Sequence, residues 1–185
     1  FAAMGITGLD PNATTSEQAA RVAILNDVLD RKDNSTAYPG GNADSIAEVQ
    51  ALHNAAQAVL RTAKGETPKI TEGQLESLGF GTVSATDITA DNLSAIQQVL
   101  VNTYSVDFGN LNTLTKVETL TKNAIDALDA IKANAAANNS TDDTTDTGLD
   151  AGTAGLDAAD FAAMGVTTVT DSGTGAANNL AMVLS

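Results

Sequence analysis

The residues best suited to chemistry in this sequence are aspartates in a polar stretch near the carboxyl end. Four of them fall within nine residues of one another: Asp142, Asp143, Asp146 and Asp150. Calcium takes several hard oxygen ligands from flexible loops, and these carboxylates could supply them. Their spacing matches neither the helix–loop–helix calcium site nor tandem calcium-binding nonapeptides. We therefore interpret the stretch as a solvated linker, and calcium binding is the alternative.

Two further features could carry chemistry. A second polar loop, framed by Asp33, Asn34 and Asp44, offers oxygen ligands but also lacks the calcium-site spacing. His53 is the single histidine, and its counterpart in the sequence repeat described below is Thr121. Because a repeated activity needs a repeated residue, we predict a surface or boundary position for His53. No nucleophile, base and orienting group converge, so the sequence predicts no enzyme, no catalytic residues and no cofactor apart from the calcium alternative.

Composition excludes several other functions. The chain has 185 residues, with 9 Lys and Arg against 23 Asp and Glu, and a net charge of -14. This charge repels phosphate backbones and anionic lipid heads, so we expect no binding to nucleic acid. No apolar run has the length of a membrane span, so we expect no membrane insertion. The chain contains no cysteine, which removes disulfides and thiolate metal sites.

The elements that would position these residues recur along the chain. Residues 1–7 (FAAMGIT) and 161–167 (FAAMGVT) agree at six of seven positions, and residues 75–80 (LESLGF) are a divergent copy. Downstream apolar positions also align between the first two copies: Val22, Leu25, Val28 and Leu29 with Leu93, Ile96, Val99 and Leu100; Ile46, Val49, Leu52, Ala56 and Leu60 with Leu114, Val117, Leu120, Ala124 and Leu128. The length differences fall between these stretches, which is typical of structural repeats.

The apolar residues recur at intervals of three and four, which predicts amphipathic helices. A short first helix is predicted near 1–4, 72–78 and 158–164. A second is predicted near 16–31, 90–103 and 176–185, and the longest near 45–63 and 112–134.

Helix-end signals support this assignment. Thr14 with Glu17, Ser45 with Glu48, and Thr71 with Gln74 fit capping boxes. We further predict left-handed glycines at the helix ends for Gly5, Gly79 and Gly165.

The predicted fold is all-α, with tandem three-helix, bundle-like repeat modules joined by polar loops. Module 1 covers residues 1–65 with a truncated start, and module 2 covers 66–137. A flexible linker rich in Asn, Ser, Thr, Asp and Gly follows at 138–155. A truncated module 3 begins at 156 and continues to 185. Since both ends fall inside modules, we expect the chain to be part of a longer array.

A resemblance to a known class rests on these repeats. The phrase LDAADFAAMGV at 156–166, followed by a Thr-rich connection and NNLAMV at 178–183, resembles the helical repeats of very large bacterial surface adhesins, as does AEVQAL at 47–52. The likeness covers essentially the whole chain. It implies an extracellular or cell-surface location and a role in cell adhesion, biofilm or an extracellular filament. It carries no catalytic residues.

The functional hypothesis is therefore a structural repeat segment of a long bacterial surface adhesin or extracellular filament. It would act as a stalk or spacer, or as a fibre building unit, without catalysis. The expected partners are other copies or neighbouring modules of the same repetitive protein. The alternative is a three-helix binding module that captures a host or matrix protein. Such a module needs recurring anchor residues, yet the arginines Arg21, Arg31 and Arg61 all lie in the first copy.

Overall fold

A computed structural model describes residues 13–33 and 43–138, and all regular structure within these ranges is helical. The five α-helices are α1 (Thr15–Asp33), α2 (Ile46–Ala63), α3 (Glu72–Ser77), α4 (Ala90–Val106) and α5 (Leu114–Asn138). Two 3₁₀ turns, Ala85–Asp87 and Phe108–Leu111, flank α4. The all-α prediction is confirmed for this part of the chain. The helices predicted near 1–4, 158–164 and 176–185 lie outside the described residues, as do most of the linker and module 3.

Three helices begin at the capping boxes that the sequence predicts. The Ser45 hydroxyl accepts a hydrogen bond from the Glu48 amide at 3.2 Å, and the Glu48 carboxylate accepts one from the Ser45 amide at 2.9 Å. Thr71 and Gln74 form the same reciprocal pair at the start of α3. Thr14 and Glu17 form it at the start of α1. Each pair satisfies amides that have no partner inside the helix.

Replacing Ser45 with alanine should lower the free energy of unfolding by about 1 kcal/mol, because the first turn of α2 loses its side-chain acceptor. Urea titration followed by circular dichroism measures this change. Ser94→Ala is the matched control, since Ser94 is exposed inside α4. There the change should be close to zero or slightly stabilising. Equal losses in the two variants would contradict the capping role.

The end of α3 depends on a glycine. Gly79 follows the last turn with a φ of 66°, in the left-handed region where residues with a Cβ are strained. This confirms the prediction for Gly79, whereas Gly5 and Gly165 lie outside the described residues. The turn directs Phe80 into the core, where it is buried. Because of this turn, the residues before and after Gly79, Leu78 and Phe80, are both buried.

The four long helices each pack against two others. α1 and α4 both contact α2 and α5, and the short α3 packs on α2. One hydrophobic cluster fills the space between them, and it draws on both sequence copies: Ile24, Leu25, Val28 and Val59 from the first, and Leu75, Ile96, Leu100 and Leu114 from the second.

The module boundary predicted between residues 65 and 66 therefore does not divide this part of the chain into two separate cores. A module of this size with few aromatic residues has only a thin core of its own. The two copies instead bury their apolar faces against each other.

Candidate functional site

The structure describes only some of the residues considered as calcium ligands. Asp142, Asp143, Asp146 and Asp150 all lie outside the described residues, and so does Asn34. Asp44 is exposed. Across 13–33 and 43–138, no group of three or more histidine, aspartate or glutamate side chains is placed to hold a metal ion. Calcium binding by the four aspartates stays a prediction.

An open cleft of about 480 Å³ lies between the segment 82–92 and α5. Carboxylates line it from both sides, with Asp87 and Asp91 on one side and Asp126 and Asp129 on the other. Lys122 lies among them and pairs with Asp126 at 2.5 Å, and both side chains are exposed. Exposed pairs of this kind contribute little to stability. The cleft therefore presents mixed, hydrated charges and no enclosed pocket.

The carboxylate of Glu17 is only 4% exposed and makes several polar contacts. It accepts hydrogen bonds from the Thr14 amide at 2.5 Å and from the Tyr104 hydroxyl at 3.0 Å. The ammonium of Lys64 lies 3.3 Å from the same carboxylate and 3.1 Å from that of Glu66. This group, which we call the Glu17 cluster, joins the start of α1 to the ends of α2 and α4.

Titration properties follow from these contacts. Burial acts to raise the pKa of Glu17, but the hydrogen bonds with Thr14, Tyr104 and Lys64 outweigh it and lower the pKa from 4.5 to about 2. Burial, together with the hydrogen bond to Glu17, raises the pKa of Tyr104. The hydrogen bond to Glu66 raises the pKa of Lys64 against the opposing effect of burial, with a further contribution from Glu17. All three residues are thus held in fixed protonation states near neutral pH.

A second buried carboxylate, Glu118 on α5, links the two copies. Its Oε2 accepts from the Arg31 guanidinium of α1 at 2.7 Å, and its Oε1 accepts from the amide and the hydroxyl of Thr82. The same guanidinium also donates to the Thr115 hydroxyl at 3.2 Å. Burial acts to raise the pKa of Glu118, but the bonds from Arg31 and Thr82 prevail and lower it. We call these residues the Glu118 cluster.

Neither cluster is suited to acid–base catalysis. A general base works best when its pKa lies near the working pH, and Glu17 and Glu118 have lowered pKa values. Their oxygens are also occupied by donors of the fold itself. Both clusters instead connect helices that are distant in sequence, so we assign them a structural role.

The prediction for His53 is wrong, because this residue is buried in α2 with only 1% of its surface exposed. Its repeat counterpart Thr121 is fully buried as well, and the Thr121 hydroxyl donates to the Val117 carbonyl at 2.9 Å. The helical period of the apolar residues could have predicted this burial. His53 directly follows Leu52 and lies three residues before Ala56, on the apolar face of α2.

One of the three arginines is buried, and the other two donate hydrogen bonds within the fold. Arg21 is buried, Arg31 belongs to the Glu118 cluster, and Arg61 donates to the Pro68 carbonyl at 2.7 Å. Arginine anchors of binding surfaces fill pockets on a partner and must be available for it. These arginines therefore do not form a recurring exposed anchor.

Among the helices described, none has the length and apolar character that crossing a membrane requires. Compared with known proteins, the chain matches no protein-family model, no curated protein and no solved structure.

Proposed function

We propose that this chain is a structural repeat segment of a long bacterial surface adhesin or extracellular filament, and that it performs no reaction. The observation that carries the proposal is the single core that the two sequence copies share. Nearest-neighbour packing of this kind is how repeat proteins gain stability from one unit to the next. The resemblance of the repeats to adhesin repeats supplies the extracellular or cell-surface location.

Polar contacts between the copies support the same role. In the Glu118 cluster, Arg31 of the first copy pairs with Glu118 of the second. In the Glu17 cluster, Glu17 of the first copy accepts from Tyr104 of the second. Such buried, directional contacts hold one copy in a defined orientation to the next. A segment built in this way keeps a fixed length and orientation, which is what a stalk requires.

The exposed surface favours a spacer over a fibre building unit. In the part of the chain that the structure describes, the exposed large apolar residues are Val22, Ile46 and Val106, each on a different helix. Apolar residues scattered singly are usual for a surface that is not an interface. The net charge of -14 also makes neighbouring chains repel one another. We therefore propose the stalk or spacer role first and the fibre role second.

The three-helix module that captures a host or matrix protein receives less support. Its arginine anchors would have to be Arg21, Arg31 or Arg61, but Arg21 is buried and the other two contact groups of the fold itself. Saturable capture of such a protein by the intact chain would replace the structural proposal with this alternative.

Sedimentation velocity of the full chain over a concentration series, with and without calcium, tests the proposal. We expect a monomer whose sedimentation coefficient does not depend on concentration or on calcium. Species that grow with concentration would support the fibre role and contradict the spacer role, because non-closing contacts between repeats extend indefinitely. If calcium changes the result, the matched control replaces Asp142, Asp143, Asp146 and Asp150 with asparagine. Loss of the calcium effect in that variant would assign it to these aspartates.

A further inference from the structure

The end of α5 carries apolar residues that are incompletely covered. Leu128, Ala130 and Ile131 are half-buried, and we call them the α5 patch. The residues 68 positions earlier occupy the same places in the repeat on α2. These residues, Leu60, Thr62 and Ala63, are exposed by only 6%, 0% and 1%. The same face of the repeat is therefore covered on α2 and partly open on α5.

On α2, this face is covered by the segment that contains α3. α3 packs against α2, and the amide of Ile70, just before α3, donates to the Thr62 hydroxyl at 2.6 Å. The segment buries four apolar residues in the cluster that also holds Leu60 and Ala63: Ile70, Leu75, Leu78 and Phe80.

A segment of the same pattern follows α5 in the sequence. Residues 156–166 match residues 70–80 at each of these apolar places, with Leu156, Phe161, Met164 and Val166. Asp157 stands at the position of Thr71, which caps α3, and aspartate is also a good helix cap. Gly165 stands at the position of Gly79, where the left-handed φ favours glycine. Residues 156–166 thus carry both the apolar pattern and the end signals of the α3 segment.

The connection is long enough for these residues to reach the patch. Seventeen residues, 139–155, separate α5 from Leu156. When extended they can span about 55 Å, and the patch lies only about 10 Å back along α5 from its end. The chain can therefore return to the patch as it returns from α2 through the shorter connection before Ile70.

We propose that residues 156–166 dock on the α5 patch in the way that the α3 segment docks on α2. The inference rests on the proposed function, in which successive repeats cover one another, and it names the surface and its occupant. Ala130 lacks the hydroxyl that Thr62 offers to Ile70. Docking on α5 therefore depends on apolar burial rather than on that hydrogen bond.

Disulfide trapping in the full chain tests this docking, and the chain contains no cysteine of its own. The contact between Thr62 and Ile70 brings their backbones within the range that a disulfide spans. The corresponding double variant, Ala130→Cys with Leu156→Cys, should form an intramolecular disulfide under mild oxidation. The control is Asp129→Cys with Leu156→Cys, because Asp129 is exposed and the loop length is nearly equal. We expect the first pair to close about tenfold faster, since docking raises the effective concentration of the two thiols.

The reference pair Thr62→Cys with Ile70→Cys separates two kinds of failure. The disulfides from positions 130 and 129 to position 156 could form at equal rates while the reference pair closes. That result would overturn the docking and leave the shared core of the proposed function intact. A reference pair that does not close would overturn the packing between copies as well. Dimers of the double variant in which the disulfide joins position 130 of one chain to position 156 of another would overturn docking within one chain, because the segment of a second chain would then occupy the patch.

Hydrogen exchange provides a measurement without cysteines. Phe161→Asp should speed amide exchange at residues 128–131 by about tenfold, because a charge at this position opposes burial. Exchange at residues 60–63 should stay unchanged. The matched control is Ala159→Asp, whose counterpart Gly73 is exposed with no atom near the place of a Cβ. Equal effects of the two variants at residues 128–131 would contradict the docking.

Discussion

Replacing Leu25 with alanine should lower the free energy of unfolding by about 3 kcal/mol, because the side chain lies fully buried in the shared core. The loss combines the transfer free energy of the removed methyl groups with the cavity that they leave. Guanidinium titration followed by circular dichroism measures it. Val22→Ala on the same helix is the control, since Val22 is 38% exposed. That change should remain below about 1 kcal/mol.

The same variant tests whether the two copies unfold together. Leu25 belongs to the first copy, and α5 belongs to the second, yet both contribute to one cluster. Destabilisation at Leu25 should therefore speed global exchange of the α5 amides 117–125 by the factor that the titration predicts. Unchanged exchange in α5 would show that the copies unfold independently. It would contradict the shared core on which the proposed function rests.

Helix positions could be predicted from the sequence because their signals are local. The reciprocal pair of Ser45 and Glu48 lies within three residues, and the structure places the start of α2 there. The same holds for Thr71 and Gln74 at α3, and Gly79 marks the end of that helix. A capping box and a left-handed glycine act within one turn. One sequence is therefore enough to find them.

Packing between the copies could not be predicted in the same way. Arg31 and Glu118 are separated by 87 residues, and no local pattern pairs charges at such a distance. The periodicity shows that each helix has an apolar face, but not which helix covers it. This is why the predicted boundary at 65 and 66 does not correspond to a division of the core. The prediction for His53 is wrong for a related reason, since its replacement by Thr121 in the second copy argues against a repeated activity but says nothing about burial.

Replacing Glu17 with glutamine should lower the free energy of unfolding at pH 7 by about 3 kcal/mol. The estimate follows from the pKa of Glu17, which the fold lowers from 4.5 to about 2. Glutamine keeps the size of the side chain and can still accept from Tyr104, but it has no negative charge for Lys64 to pair with. Glu76→Gln is the control, because Glu76 is exposed on α3. It should change the stability by less than about 0.5 kcal/mol.

The dependence on pH distinguishes the charge of Glu17 from its packing. Because the pKa is lower in the folded state, the ionised carboxylate stabilises the fold above pH 4.5, and this contribution is lost as the pH falls towards about 2. The difference between the original chain and Glu17→Gln should therefore be constant above about pH 5.5 and shrink on acidification. Both proteins should keep some acid sensitivity through Glu118, whose pKa is also lowered. A difference that stays constant from pH 7 to pH 3 would mean that glutamine disturbs packing, and it would contradict the electrostatic role of the Glu17 cluster.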